Sequence, residues 1–200
     1  MRMLYVLMGK SASGKDTIFK KLLDIPKLKL KKIVPYTTRP LRSGELDGND
    51  YHFVSRNTMY ELEAAGKIIE HRCYRTVHGE WHYFTADDGI NIKGGDRFLT
   101  IGTLEAYIKL REYYGAENVT PIYIYVDDFE RIARSLKREK KQEAPSVPEV
   151  CRRFLADEID FSDELLQKEG IDILYENIDI DTCVQAVSNM ILTDGAPLNM

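Results

Sequence analysis

The chain predicts an α/β fold, a largely parallel sheet covered by helices on both faces. Three observations carry this. Short apolar runs rich in β-branched residues alternate with segments of helical periodicity. A glycine-rich loop, Gly9 to Gly14, joins the first such run to the first helical segment. Shorter strand candidates and turn signals over 51–85 interrupt the alternation and read as a small inserted lobe.

Taken in order, Met3–Met8 is a continuous apolar run, as a strand buried on both faces requires, and Lys15–Leu23 is the helix after it. Ile33–Tyr36 reads as a short extended piece. The stretch Arg39–Asp50 is rich in turn residues, with Pro40, Gly44 and Gly48. Tyr51–Val54 is a strand, and Thr58–Ala65 a short helix stopped by Gly66. Ile68–Tyr74 and Glu80–Thr85 pair as a hairpin around Val77–Gly79. Arg97–Ile101 is a second buried strand, followed by a helix over Leu104–Tyr114, and Val119–Val126 is a third buried strand. Asp127 suits the N-cap of a helix reaching about Lys141. Lys137–Pro148, charged and holding two prolines, reads as a solvated loop or flap. One helix is expected over Glu149–Glu169, then a strand at Ile171–Tyr175, a helix at Thr182–Leu192 and a loose tail from Thr193.

At 200 residues, 44% apolar and 30% charged, the composition is that of a folded soluble domain. Lys plus Arg is 28 and Asp plus Glu is 32, and 28 − 32 gives −4, against a dedicated nucleic-acid binder, which carries a basic excess. No apolar run reaches the roughly 18–20 residues that span a bilayer, and the N-terminal run lacks a secretion-signal pattern. Cys73, Cys151 and Cys183 form no CxxC pair and no ligand cluster, which fits a reducing cytoplasm. His52, His71, His78 and His82 lack ligand spacing, so no metal site is expected among them.

The most informative stretch is Gly9-Lys10-Ser11-Ala12-Ser13-Gly14-Lys15-Asp16-Thr17, a GxxxxGK pattern between a strand and a helix. The glycines allow a tight turn in which successive N–H groups point at phosphate oxygens, the helix adds its positive end, and Lys15 adds a full charge. Gly9, Ser11, Ala12, Ser13, Gly14, Lys15, Asp16 and Thr17 are therefore candidate ATP-binding residues. Ser or Thr usually follows the lysine and meets Mg²⁺. Here Asp16 stands there, a hard ligand in its own right, so Asp16 and Thr17 are the candidate metal-binding pair.

The second cluster runs from Tyr36 through Thr37-Thr38-Arg39-Pro40-Leu41-Arg42 to Tyr51-His52-Phe53-Val54. Arg39 and Arg42 can form a fork for a phosphate dianion, with the Tyr51 hydroxyl beside it. The alternative is a surface loop whose arginines pair with Glu45 and Asp47. Further on, Arg131, Arg134 and Arg138 fall on one helix face, either an anion-binding stripe or a solvated face beside Glu130 and Glu139.

The pattern TTRxxRxGExDGxDYxFV after a GxxxxGK loop resembles guanylate kinase, over about residues 3 to 190. The resemblance implies a P-loop NTPase core with a nucleoside-monophosphate (NMP) lobe and a helical lid, and γ-phosphoryl transfer from ATP to GMP or dGMP with Mg²⁺. It places the core at 1–34, 87–126 and 171–192, the NMP-binding lobe at 35–86, the lid at 127–170 and a tail at 193–200. It gives Arg39, Arg42 and Tyr51 to the acceptor phosphate and Glu70 to the guanine, with Tyr83 and Thr85 at the lobe's Tyr-Gly-Ser/Thr position. It makes Arg134, Arg138 and Arg153 lid arginines and sets Asn177 near the adenine pocket. With Lys15 and Arg39 these three arginines form the implied catalytic set. The partners implied are ATP and GMP, with no nucleic acid or membrane.

Three family positions differ. The guanine-reading serine falls on Pro35, the Asp-x-Asp pair falls on Thr100-Ile101-Gly102, and the Tyr-Gly-Ser/Thr element becomes His82-Tyr83-Phe84-Thr85. The phosphate-gripping residues are kept while part of the base-reading set has changed. A kinase for another nucleotide, a non-catalytic binding module and a regulatory nucleotide sensor are the alternatives.

Overall fold

The computed structural model describes residues 3–42, 44–76, 79–90, 94–142 and 145–194. Five parallel strands form the central sheet in the order β2-β7-β1-β8-β9: β1 is Leu4–Met8, β2 Leu30–Lys32, β7 Arg97–Ile101, β8 Val119–Tyr125 and β9 Leu174–Glu176. Successive side chains of β1 point to opposite faces, so it seeds two cores. Leu4, Val6 and Met8 pack with Leu104, Tyr107 and Leu110 of α3 (Leu104–Tyr114). Tyr5 and Leu7 pack with Ile18 and Leu22 of α1 (Lys15–Leu23) and with Val187 and Ile191 of α7 (Ile180–Thr193). Each of these buried aliphatics contributes about 1.5–3 kcal/mol. The expected α/β class and its helix-covered parallel sheet are what the molecule has.

A second sheet, in the order β4-β3-β6-β5, makes the inserted lobe. Here β3 is Tyr36–Thr37, β4 His52–Phe53, β5 Ile68–Thr76 and β6 Gly79–Ala86, with α2 (Arg56–Ala64) between β4 and β5. The β5–β6 hairpin places Glu70 opposite Thr85, Arg72 opposite Tyr83 and Cys73 opposite His82. Residues 77 and 78 of its expected turn lie outside the described residues.

Side-chain caps start most helices. Asp127 accepts from the N–H groups of Phe129 and Glu130 to open α4 (Asp128–Glu139), and Ser146 accepts from Glu149 to open α5 (Val147–Asp160). Five expectations are corrected. The helix expected over 149–169 is two, α5 and α6 (Asp163–Lys168): Phe161 leaves helical geometry at φ −129°, ψ 42° and turns into the core against Tyr123. The loop expected over 137–148 is shorter, because α4 runs on to Glu139 and Pro148 sits in the first turn of α5. Of the extended piece set at 33–36 only Tyr36 is in a strand, β3; residues 33–35 join it to β2, which the 3₁₀ turn at Pro26–Leu28 leads into. The strand set at 171–175 lies at Leu174–Glu176. Of the loose tail expected from Thr193, Thr193 is the last residue of α7 and Asp194 its C-cap, while residues 195–200 lie outside the described residues.

Candidate active site

The loop after β1 adopts the backbone that its sequence demands. Gly14 has φ +85°, and a β-carbon there would stand 2.4 Å from Asn177 Nδ2. At Gly9, φ +155°, a β-carbon would meet the Ile124 carbonyl oxygen at 2.5 Å. The loop, with Lys15, Asp16 and Thr17, forms one wall of a cleft of about 420 Å³, and Arg134, Arg138 and Arg153 form the other. Helices α4 and α5 thus bring the three expected lid arginines over Lys15. Arg134 is oriented by Glu130 (2.8 Å) and donates to the Asn177 carbonyl oxygen (3.2 Å). Arg153 is held by Glu149 (2.8 Å).

Three features of this region differ from expectation. Arg131 is not part of an open cationic stripe. It is 1% exposed and bonds to Asp128 (2.8 Å), Glu158 (2.7 Å), Asp157 (3.3 Å) and the Ser11 carbonyl oxygen (3.3 Å), its guanidinium over the Phe154 ring. The Ser11 N–H, expected to face phosphate, donates to Asp157 instead (2.7 Å). Asn177 is buried, and its amide nitrogen donates to the Ser13 carbonyl oxygen (2.8 Å), so its side chain braces the loop from behind. No sequence signal linked Asp157 and Glu158 to a loop 146 residues away.

A second cleft of about 620 Å³ lies between the core and the inserted lobe, and Arg39, Arg42, Tyr51, Pro35, Ile101 and Asp16 are in its wall. The two clefts meet at Asp16, which lines both. Arg39 is 4% exposed and gripped by Glu45 through two bonds, Nη1 to Oε2 at 2.6 Å and Nη2 to Oε1 at 2.5 Å. Pairing with Glu45, the alternative weighed from sequence, therefore exists, yet it does not turn Arg39 out of the cleft. It fixes one edge of the guanidinium, while Nε is buried and has no hydrogen-bond partner among the described residues. The Tyr51 and Phe53 rings lie 5.1 and 5.2 Å from the guanidinium carbon. The guanidinium of Arg39 holds the Glu45 carboxyl below the usual carboxylate range. Arg42 is exposed, with its guanidinium over Trp81.

Deeper in the lobe Glu70 is 5% exposed. It accepts from the Thr85 hydroxyl (2.9 Å) and from Arg72 Nε (3.0 Å), while Arg72 also reaches the Thr103 hydroxyl (3.4 Å). Tyr83 packs edge-on against Tyr51. The sequence reading missed Arg72, although its two-residue offset from Glu70 on a strand is a signal that both share a face. At the changed positions, Pro35 and Ile101 give this second cleft apolar wall, Thr100 is buried in the sheet, and a β-carbon on Gly102 would press Val6 at 3.1 Å.

The family model for guanylate kinase matches residues 1–194. The guanylate kinase of Anaplasma phagocytophilum (strain HZ) is 31% identical over 191 residues, covering 94% of this chain and 85% of that protein. That of Thiobacillus denitrificans is 31% identical over 193 residues, covering 91% of this chain and 81% of its own. The crystal structure of guanylate kinase from Anaplasma phagocytophilum superposes with a TM-score of 0.68 at 26% identity, covering 98% of this chain and 88% of that one.

Proposed function

The chain belongs to the guanylate kinase family, and on that premise we propose that it transfers the γ-phosphoryl group of ATP to GMP or dGMP, giving ADP and the nucleoside diphosphate. The observation that carries this reading is the meeting at Asp16 of a cleft walled by the phosphate loop and a cleft walled by Arg39 and Arg42. Two phosphate sites that open on one residue suit a direct transfer between two nucleotides.

The acceptor's phosphate oxygen attacks the γ-phosphorus, the bond from that phosphorus to the β–γ bridging oxygen breaks, and ADP leaves. The attacking group is already an oxyanion, so no general base is required, and catalysis rests on positioning and charge neutralisation. Lys15 and the loop amides not engaged by Asp157 hold the donor. Arg39, Arg42 and Tyr51, which line the second cleft together, hold the acceptor phosphate. Arg134, Arg138 and Arg153 cover the transferring group and exclude water. Glu70 accepts from the guanine edge, with Arg72 and Thr85 fixing its carboxylate.

Asp16 and Thr17 are adjacent, exposed and in the wall of the donor cleft. A carboxylate beside a hydroxyl is a hard oxygen donor set that fits Mg²⁺. The ion, when bound there, supplies positive charge against the donor phosphates. Three further assignments belong to the same reading: the core, NMP-lobe and lid boundaries given by the resemblance, small nucleotides as the partners, and the cytoplasm as the compartment. The three cysteines are free thiols, as a reducing compartment keeps them, and among the described residues no helix is long and apolar enough to cross a membrane.

An ADP-release assay with ATP, Mg²⁺ and a panel of nucleoside monophosphates tests the reading. Turnover is expected with GMP and dGMP and should fall about 10²–10³-fold in Lys15→Ala. Silence with every acceptor overturns it.

A further inference from the structure

We propose that Cys73, Glu80 and His82 form a binding site for a transition-series divalent cation of the zinc class. One ligand atom from each of the three lies within 4.8 Å of the others. Sequence spacing hides this group, and the hairpin register creates it: Cys73 stands opposite His82, Arg75 opposite Glu80, and the alternation of a strand puts all of these on one face. That face is the reverse of the one carrying Tyr83, which packs against Tyr51 of the acceptor cleft.

His82 supplies a second, independent observation. It is 8% exposed, and its Nε2 is buried with no hydrogen-bond partner among the described residues. Its Nδ1 lies 2.7 Å from His71 Nε2, with the two rings stacked. If Nδ1 carries the proton and donates it to His71, Nε2 holds a bare lone pair. The opposite assignment buries an Nε2–H with nothing to accept it. The first arrangement is that of a metal-ligating histidine whose other nitrogen donates to a neighbour, with His71 as that neighbour.

The donor set selects the cation. A thiolate, an imidazole and a carboxylate suit zinc or cobalt in tetrahedral geometry, with the fourth position left to water, whereas Mg²⁺ takes an all-oxygen shell. On binding, the Cys73 thiol releases its proton to solvent. Arg75, now 3.4 Å from Glu80, is 90% exposed and free to swing aside. Arg56 stands 3.8 Å from the same carboxylate and donates to the Glu80 carbonyl oxygen. The site is coupled to the acceptor clamp through the backbone. The His82 carbonyl oxygen accepts from the Thr38 N–H (3.0 Å) and the Thr37 hydroxyl (2.9 Å), and both threonines directly precede Arg39.

The test is a Co²⁺ titration of the full, nucleotide-free chain in excess Mg²⁺, followed by optical absorption. About one equivalent is expected to give a thiolate-to-cobalt charge-transfer band and intense tetrahedral d–d bands, both removed by Zn²⁺. Cys73→Ser changes an exposed side chain and should abolish the charge-transfer band while leaving thermal unfolding and metal-free turnover unchanged. His71→Gln should weaken Co²⁺ binding about 10–100-fold. Absence of the band in the native chain overturns the proposal. So does an undiminished band in Cys73→Ser, which would move the thiolate to Cys151 or Cys183.

Discussion

The backbone N–H of Ser11 donates to the Asp157 carboxylate at 2.7 Å, so helix α5 is fastened directly to the phosphate loop. Lys10 pairs with Glu158 at 2.6 Å beside it, and buried Arg131 bonds to both carboxylates and to the Ser11 carbonyl oxygen. The phosphate loop and the helices that carry Arg134, Arg138 and Arg153 therefore form one hydrogen-bonded unit.

Arg131→Ala removes the buried cation from this unit and leaves Glu158 with Lys10 alone and Asp157 with the Ser11 N–H alone. The expected cost is about 3 kcal/mol of stability, read from urea unfolding. A rise in KM for ATP, larger than any change in KM for GMP, should accompany it, because the disturbed groups lie under the donor cleft. Unchanged stability would show that solvent already screens the pair.

Lys15→Ala should keep the fold, since Lys15 has no place in either core cluster. Turnover should fall about 10²–10³-fold, the usual cost of removing one charge-stabilising donor from a transferring group. Circular dichroism and a steady-state assay check both halves.

Glu45 grips both terminal nitrogens of Arg39, so Glu45→Gln tests how the guanidinium is oriented in the cleft that both residues line. The neutral amide accepts more weakly and Arg39 loses its fixed edge. KM for GMP should rise about ten-fold with KM for ATP little moved, in line with the strength of charge-assisted hydrogen bonds.

Glu70→Gln replaces a buried acceptor with a group that presents a donor. The kcat/KM for GMP should fall about ten- to a hundred-fold, and the preference for GMP over AMP should shrink with it. Loss of activity with the preference intact would mean that Glu70 only supports the lobe.

The covering helix α5 carries an acid-sensitive contact. Hydrogen bonds from Arg152, with Arg153 beside it, hold the Glu149 carboxyl at about 2, below its ordinary 4.5. A depressed carboxyl contributes stability that is fully present above its unfolded pKa and is lost as pH falls through the folded one. Its contribution is therefore whole above about pH 4.5 and disappears toward pH 2. Glu149→Gln should be less stable than the native chain at neutral pH and equal to it near pH 2, as measured by urea unfolding across that range.

Local rules made the phosphate loop and the central strands legible in the sequence. GxxxxGK needs its positive-φ glycine wherever it folds, and five-residue apolar runs flanked by helical periodicity have few other solutions. The arginine pair and Glu70 are singled out through family resemblance. What the chain alone did not disclose depends on pairs distant in sequence or on strand register: Asp157 on Ser11, Arg131 drawn into a buried network, the break at Phe161, and Cys73 set across from His82. Helical periodicity placed Arg131 beside Arg134 and Arg138, but only the packing of α5 against α4 decided that Arg131 is buried and neutralised while the other two face the cleft. A local pattern sets which side chains share a face. Which face meets protein and which meets solvent is settled by the partner element, and that partner arrives with the tertiary fold.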